Sequence, residues 1–123
     1  MVHQSPITCH VLDSSIGRPG KHVPVKLERL DSTAAVNTWS NLAEGVTDDD
    51  GRVSELLAPT HKLVPGLYRM TFQTAEYWPT IGVTKSFFPY VEIVFNIEAG
   101  AENQHYHIPL LLSPFSYTTY RGS

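Results

Sequence analysis

The stretch that decides the fold of this 123-residue chain is HYHIPLLLSPF, residues 105–115. Side chains of a β-strand point alternately to its two faces, so residues two apart share a face. On this pattern His105, His107 and Pro109 lie on one face. The other face is apolar throughout, with Tyr106, Ile108, Leu110 and Leu112. We therefore predict a strand that covers the core with one face and carries two imidazoles on the other.

The residues that follow predict a second, short strand beside the first. Ser113-Pro114 turns the chain, and residues 117–120 are aromatic or β-branched, which is typical of strands. Arg121-Gly122-Ser123 then ends the sequence. Chain ends usually fray into polar tails. A strand that runs so close to the end leads us to expect that this end is held in place.

The same two-residue alternation marks further strands along the chain. They are predicted at Ile7–Asp13, Val23–Leu30, Trp39–Val46, Leu67–Thr74 and Val91–Ile97. Pro24 belongs at the start of its strand or on a sheet edge, because proline has no N–H to give to a ladder. Residues 31–37 are polar and small and predict a loop.

Two local signals lie between these strands. Asp50-Gly51 predicts a two-residue hairpin turn of type I′, which needs positive φ at both central positions, and it places Arg52 just past the turn. Thr74 is predicted to cap a short helix, and Pro79 fits only in its first turn. Seven or eight short strands with one short helix predict an all-β fold, an antiparallel β-sandwich.

The composition indicates one globular domain over residues 1–123. Hydrophobic residues make up 41% of the chain and charged residues 17%, and the formal net charge of -3 gives no electrostatic case for a nucleic-acid partner. No apolar run is long enough to span a membrane. The single cysteine, Cys9, excludes an intrachain disulfide framework and is expected to be buried and inert.

The ends of the sequence predict where the protein is located. Residues 1–6 lack the charged segment and apolar run of a signal peptide. The last residues are not a Ser-Lys-Leu peroxisomal signal. We expect a cytoplasmic protein, with a peroxisomal location left open.

Six histidines are candidates for chemistry. Taken singly, each is more often an exposed or hydrogen-bonded imidazole than a catalyst. His10, His105 and His107 differ because they lie on predicted strands, opposite the apolar faces. Three such imidazoles are a possible His₃ zinc site, although no carboxylate or further histidine lies at a recognisable ligand spacing. The remaining three have no predicted role: His3, His22 and His61.

Four stretches of the sequence resemble those of a known family. They are His10-Val11-Leu12-Asp13 with Gly17 and Pro19, Asp50-Gly51-Arg52, Phe88-Pro89-Tyr90-Val91-Glu92, and His105 to Ser123. The chain resembles the 5-hydroxyisourate hydrolases of the transthyretin-like family, for which a terminal Tyr120-Arg121-Gly122-Ser123 is the signature. Cys9 and Gly20 stand where threonine and alanine are expected, and neither is a functional position. The resemblance implies a two-sheet sandwich with one short helix.

The resemblance also implies an activity and an assembly. The expected reaction is hydrolysis of 5-hydroxyisourate to 2-oxo-4-hydroxy-4-carboxy-5-ureidoimidazoline, a step of urate and purine degradation that needs no metal or cofactor. His10, Arg52, His107 and Ser123 are the expected catalytic residues, and substrate binding falls to His10 and Arg52 together with Tyr120. The expected assembly is a homotetramer, a dimer of dimers, with sites shared across the dimer–dimer interface.

These residue types suit the hydrolysis of a cyclic amide. A histidine, with an ordinary pKa of about 6.5, can activate water near neutral pH. Arg52 would offer paired donors and positive charge to the tetrahedral intermediate. Ser123 and the Tyr120 hydroxyl would hold the ring or relay a proton. Which histidine is the general base is left open.

Two alternatives belong to other functional classes. The first is a carrier of the transthyretin type, which binds an aromatic ligand without turnover. Transthyretin has lysine where this chain has His10, and it lacks the arginine, the second histidine and the terminal tetrapeptide. The second is the zinc hydrolase built on the three strand histidines.

The C-terminal residues are expected to fold back into the site. Gly122 would permit a close approach or an unusual φ. Arg121 is expected to anchor the segment through an ion pair. The terminal carboxylate of Ser123 is expected to pair with Arg52, His10 or His107.

Overall fold

Two β-sheets pack face to face in the computed structural model, which describes residues 4–31 and 37–123. In chain order the strands are β1 (Ile7–Asp13), β2 (Arg18–Pro19), β3 (Pro24–Asp31), β4 (Thr38–Val46), β5 (Arg52–Val53), β6 (Gly66–Phe72), β7 (Val91–Ile97), β8 (Tyr106–Ser113) and β9 (Ser116–Thr119). The predicted β-sandwich is confirmed, and Pro24 is the first residue of β3, where its missing N–H costs no ladder bond.

The first sheet has the order β2-β1-β8-β9, with β5 also paired to β1, and the second has the order β4-β3-β6-β7. Strands β1 and β8 run parallel, whereas the other pairs of described strands are antiparallel. A parallel pair needs a long crossover, and the second sheet lies between β1 and β8 in the chain. The sandwich is therefore antiparallel except at this central pair.

The predicted apolar faces form the core between the sheets. On β8 the four alternating apolar residues are at most 5% exposed: Tyr106, Ile108, Leu110 and Leu112. On β6 the predicted inner residues Tyr68, Met70 and Phe72 are fully buried. Cys9 is buried with them, and this burial raises the pKa of its thiol to about 12, so the thiol is unreactive.

The turn at Asp50-Gly51 differs from the prediction in two ways. Gly51 has a φ of 78°, but Asp50 does not have positive φ, so the turn is not of type I′. The Gly51 N–H donates to the Asp48 carbonyl and the Asp48 N–H donates to the Arg52 carbonyl, both at 2.9 Å, which makes a three-residue loop. The flanking strands β4 and β5 also belong to different sheets, so the turn joins the sheets rather than two paired strands.

The predicted helical segment is present as two consecutive 3₁₀ turns, Thr74–Glu76 and Trp78–Ile81. Thr74 does not cap it, because this threonine lies inside the first turn and its buried hydroxyl has no hydrogen-bond partner among the described residues. Pro79 lies near the start of the second turn, as predicted. Gly82, with a φ of 77°, ends it.

Two expectations fall outside the described residues. The loop predicted at residues 31–37 has only its two ends within them, and His3 is not among them. Within the described ranges, no helix has both the length and the apolar character required to cross a membrane.

Candidate active site

The outer face of the first sheet brings three of the predicted site residues onto adjacent strands. β1 lies between β5 and β8, and its His10 is paired in register with Arg52 of β5. Two residues earlier, Thr8 of β1 is paired with His107 of β8. Because directly paired residues share a face of the sheet, all four side chains point away from the core.

These strands border an open polar cavity of about 220 Å³. Arg52, His107 and Ser123 line it, so the structure brings together three of the four residues expected to be catalytic. His10 lies beside the cavity, with its ring centroid 6.5 Å from that of His107. The remaining lining residues are Gln4, Thr8, Cys9 and His105.

The orientation of the His10 ring is fixed by the neighbouring turn. Its Nε2 lies 3.0 Å from the carbonyl oxygen of Asp50, which can only accept, so Nε2 carries a proton and donates it. The neutral ring then has its lone pair on Nδ1. Burial lowers the pKa of His10, and the Arg52 cation lowers it further, so the neutral form predominates near pH 7.

The same turn also positions Arg52. One carboxylate oxygen of Asp48 accepts the backbone N–H of Asp50 at 2.9 Å and that of Arg52 at 3.0 Å. These hydrogen bonds lower the pKa of Asp48, and the one from Arg52 has the larger effect. Gly51 is required here, because a Cβ at this position would stand 2.3 Å from the carbonyl oxygen of Val11.

The His107 ring is oriented by a hydrogen bond to Thr8, a residue that the sequence patterns did not single out. Its Nδ1 lies 2.7 Å from the hydroxyl oxygen of Thr8, and the same oxygen lies 3.1 Å from Nε2 of His105. Burial is the main cause that lowers the pKa of His107, and the charges of Arg52, His105 and His10 lower it further. The sequence contains one signal for the position of Thr8: the two-residue alternation along β1 places it on the same face as His10.

The C-terminal segment folds back onto β8. The Gly122 N–H donates to the backbone carbonyl of His107 at 2.9 Å, which places Ser123 at the cavity. A Cβ on Gly122 would stand 2.6 Å from Cδ2 of His107, so the close approach requires glycine, while the unusual φ also considered does not occur. The expectation that Arg121 forms an ion pair is wrong for the described part of the chain. Arg121 instead donates to the side chain of Gln104 at 2.7 Å and covers the Tyr106 ring at 4.7 Å.

Tyr120 is not brought to this cavity within one chain. It is more than half exposed and lines a separate cavity of about 250 Å³, together with Phe95, Tyr106 and Arg121. Its assignment as a substrate-binding residue stays a prediction.

His10, His105 and His107 are not arranged as a metal-ligand set, and His105 lies just before β8 rather than on a strand as predicted. The ring centroids of His105 and His107 are 6.4 Å apart, and one nitrogen of each ring faces Thr8. Across residues 4–31 and 37–123, no group of three or more histidine, cysteine, aspartate or glutamate side chains is placed to hold a metal ion.

Comparison with known protein families gives one match over nearly the whole chain. The model of the HIUase/Transthyretin family matches residues 7–122. A Mus musculus protein named 5-hydroxyisourate hydrolase is 47% identical over 119 residues, which cover 97% of this chain and 96% of the relative. A Salmonella typhi protein of the same name is 40% identical over 117 residues, covering 95% of this chain and 80% of the relative.

Solved structures of both a transthyretin and a 5-hydroxyisourate hydrolase share this fold. Transthyretin from Sparus aurata has a TM-score of 0.81 at 35% identity, covering 95% of this chain and 96% of its own. The 5-hydroxyisourate hydrolase of Klebsiella pneumoniae has a TM-score of 0.77 at 32% identity, covering 95% of this chain and 98% of its own. Because the backbone fits both, the choice between them depends on the side chains at the site.

Proposed function

Because this chain belongs to the HIUase/transthyretin family, we propose that it hydrolyses 5-hydroxyisourate to 2-oxo-4-hydroxy-4-carboxy-5-ureidoimidazoline in urate degradation. The chain is the hydrolase of this family rather than the carrier. The observation that carries the proposal is the outer face of β1, β5 and β8, where His10, Arg52 and His107 lie together. Two imidazoles with lowered pKa beside a permanent cation suit hydrolysis, and a passive carrier has no need of them.

We assign the activation of water to His107. Its ring lines the cavity together with Arg52 and Ser123, whereas His10 lies beside it. Neutral His107 would take a proton from water through Nε2, since its Nδ1 faces Thr8. Positioned general-base catalysis of this kind supplies about 10²–10⁴-fold in rate.

The remaining residues complete the reaction cycle. Hydroxide attacks the ring carbonyl, and the Arg52 guanidinium stabilises the negative oxygen of the tetrahedral intermediate. The C–N bond then breaks, and the leaving nitrogen receives a proton from the imidazolium. His10, with a lone pair on Nδ1 in its neutral form, and Ser123 orient the ring by hydrogen bonds. The proposal uses no metal or cofactor.

The proposed assembly is a homotetramer, a dimer of dimers. The cavity of about 220 Å³ is smaller than the roughly 300–1,000 Å³ of typical ligand sites, which supports a site completed by a neighbouring subunit. Aromatic side chains near the β9 edge are more than half exposed, namely Phe87, Phe115 and Tyr120. Exposed apolar patches of this kind mark interaction surfaces. In such an assembly Tyr120 would reach a site other than that of its own chain.

The decisive experiment measures the decay of freshly generated 5-hydroxyisourate with and without the protein. We expect accelerated decay that survives exhaustive chelation. Loss of activity in chelator with recovery on addition of zinc would favour the zinc hydrolase, and tight binding of an aromatic ligand without turnover would favour the carrier. Sedimentation of the same sample tests the assembly, and a fully active monomer would contradict the tetramer.

A further inference from the structure

Thr8 joins two imidazoles through one hydroxyl group. The Thr8 oxygen lies 2.7 Å from Nδ1 of His107 and 3.1 Å from Nε2 of His105. Thr8 is 5% exposed, and the parallel β1–β8 register pairs it directly with His107. The hydroxyl is therefore held between the two rings rather than exchanging freely with water.

The proton count of this group limits the states of His107. A hydroxyl has one proton, so it can donate to only one of the two rings, and at least one ring must donate to it. When Thr8 donates to His105, the Nδ1 of His107 carries a proton and its Nε2 has a lone pair. When Thr8 instead donates to His107, the Nε2 of His107 carries the proton and cannot act as a base.

The first direction suits both charge states that a general base passes through. Neutral His107 already donates its Nδ1–H to Thr8, and that bond persists and strengthens when Nε2 gains a proton. In the reverse direction the imidazolium and the Thr8 hydroxyl would point protons at each other. Only the first direction lets His107 take and return a proton without rearrangement of the group.

We propose that Thr8 and His105 are positioning residues. His107 donates its Nδ1–H to the Thr8 hydroxyl, and that hydroxyl donates to Nε2 of His105. These two hydrogen bonds keep the lone pair of His107 on Nε2, directed into the cavity. This inference rests on the proposed hydrolysis and adds two residues to its machinery. The charged and titratable groups around His107 are Arg52 on β5, His10 on β1 and His105 just before β8, with Ser123 at the cavity.

Matched variants test the hydroxyl and the ring separately. Thr8→Val keeps the β-branched shape and removes the hydroxyl, and we expect kcat to fall about tenfold with little change in KM. Thr8→Ser, which keeps the hydroxyl, should retain most of the parental rate. Likewise His105→Leu should lower kcat, while His105→Gln, whose amide oxygen can still accept from Thr8, should restore it.

The pH profile distinguishes positioning from a merely structural role. Loss of the Thr8 acceptor removes a bond that favours the imidazolium, so the acid limb of kcat should move to lower pH in Thr8→Val and stay in place in Thr8→Ser. A limb that moves to higher pH would mean that Thr8 donates to His107, and it would overturn the proposal. Parental kcat and pH profile in both Thr8→Val and His105→Leu would overturn it as well.

A spectroscopic measurement on the parental protein without substrate is independent of the reaction. Nitrogen-15 NMR of the imidazoles above their pKa values should show neutral His107 protonated on Nδ1, and neutral His105 unprotonated on Nε2. Protonation of neutral His107 on Nε2 would overturn the proposal even if the protein is a hydrolase. Absence of turnover in the decay assay would instead refute the proposed function and leave this result intact.

Discussion

The two faces of strands β1 and β8 differ in what they determine. The inner face is apolar, and Ile7, Val11 and Leu110 are fully buried there. The outer face carries Thr8, His10 and His107. Thr8 hydrogen bonds directly to His107, and His10 donates to the adjacent turn. The transthyretin and 5-hydroxyisourate hydrolase structures both share the backbone that the inner face supports. The outer face is therefore where function is decided, and fold and activity should be separable by mutation.

The largest expected effect on the outer face follows from His107→Ala. We expect kcat to fall by about 10²–10⁴-fold, the usual contribution of a positioned general base. Its melting temperature should stay close to the parental value, because the side chain fills no part of the core. The control is His61→Ala, which removes an imidazole outside the site. Near-parental turnover in His107→Ala would remove this residue from the catalytic set.

The matching change on the inner face is Leu110→Ala, three residues after His107 on β8. It leaves a cavity in the core and should lower the free energy of unfolding by about 2–5 kcal/mol. The activity of each folded molecule should be retained, as measured in denaturant titrations and in rate assays below the unfolding transition. Val46→Ala, at an exposed position, should change stability little. If Leu110→Ala abolished turnover while folded, the two faces would not be independent.

Much of this contrast could be predicted from local alternation. A two-residue period assigns each side chain of β1 and β8 to a face, so the core residues and the outward histidines followed from the pattern alone. The family resemblance then supplied Arg52 and Ser123, which alternation does not distinguish from ordinary surface residues.

The contacts that the sequence did not reveal involve elements far apart in the chain. Thr8 and His107 meet because β1 and β8 pair in parallel, and no local pattern reports that register. Turn chemistry at Asp50-Gly51 predicted a reversal but not that it connects two sheets. The partners of Arg121, an amide and an aromatic ring, could not be deduced either. A cation can be stabilised by an anion, by an amide oxygen or by an aromatic face, and the sequence does not distinguish these.

A smaller effect is expected where the chain end meets the outer face. In Gly122→Ala the new Cβ would stand 2.6 Å from Cδ2 of His107 and 3.1 Å from Cγ of Pro109. The ring or the segment must shift, and we expect kcat to fall by about 10- to 100-fold, since small misplacements of a catalytic group are costly. Arg121→Ala, which adds no atoms, is the control and should retain most activity. Equal activity of Gly122→Ala and the parent would show that the segment does not position His107.

The smallest expected effect is a shift in the titration of the two outer histidines. Burial is the first cause that lowers the pKa of His10 and of His107 below 6.5, and the Arg52 cation is the second. Arg52→Ala should therefore raise both pKa values, while burial, which persists, continues to lower them. Arg52→Lys keeps the charge and should leave them lower than Arg52→Ala does. Proton NMR of the imidazoles gives both values directly.

The same shift has a consequence for stability with a definite sign. Because the native pKa values are depressed, the unfolded chain binds protons more readily in acid, so native stability is full above pH 6.5 and declines as the pH falls through the native pKa values. Arg52→Ala should weaken this decline, and Arg52→Lys should preserve it, in denaturant titrations compared at neutral and mildly acidic pH. Identical pH dependence in all three proteins would mean that Arg52 does not act on the histidines electrostatically, and its proposed role would then rest on direct contact with the substrate alone.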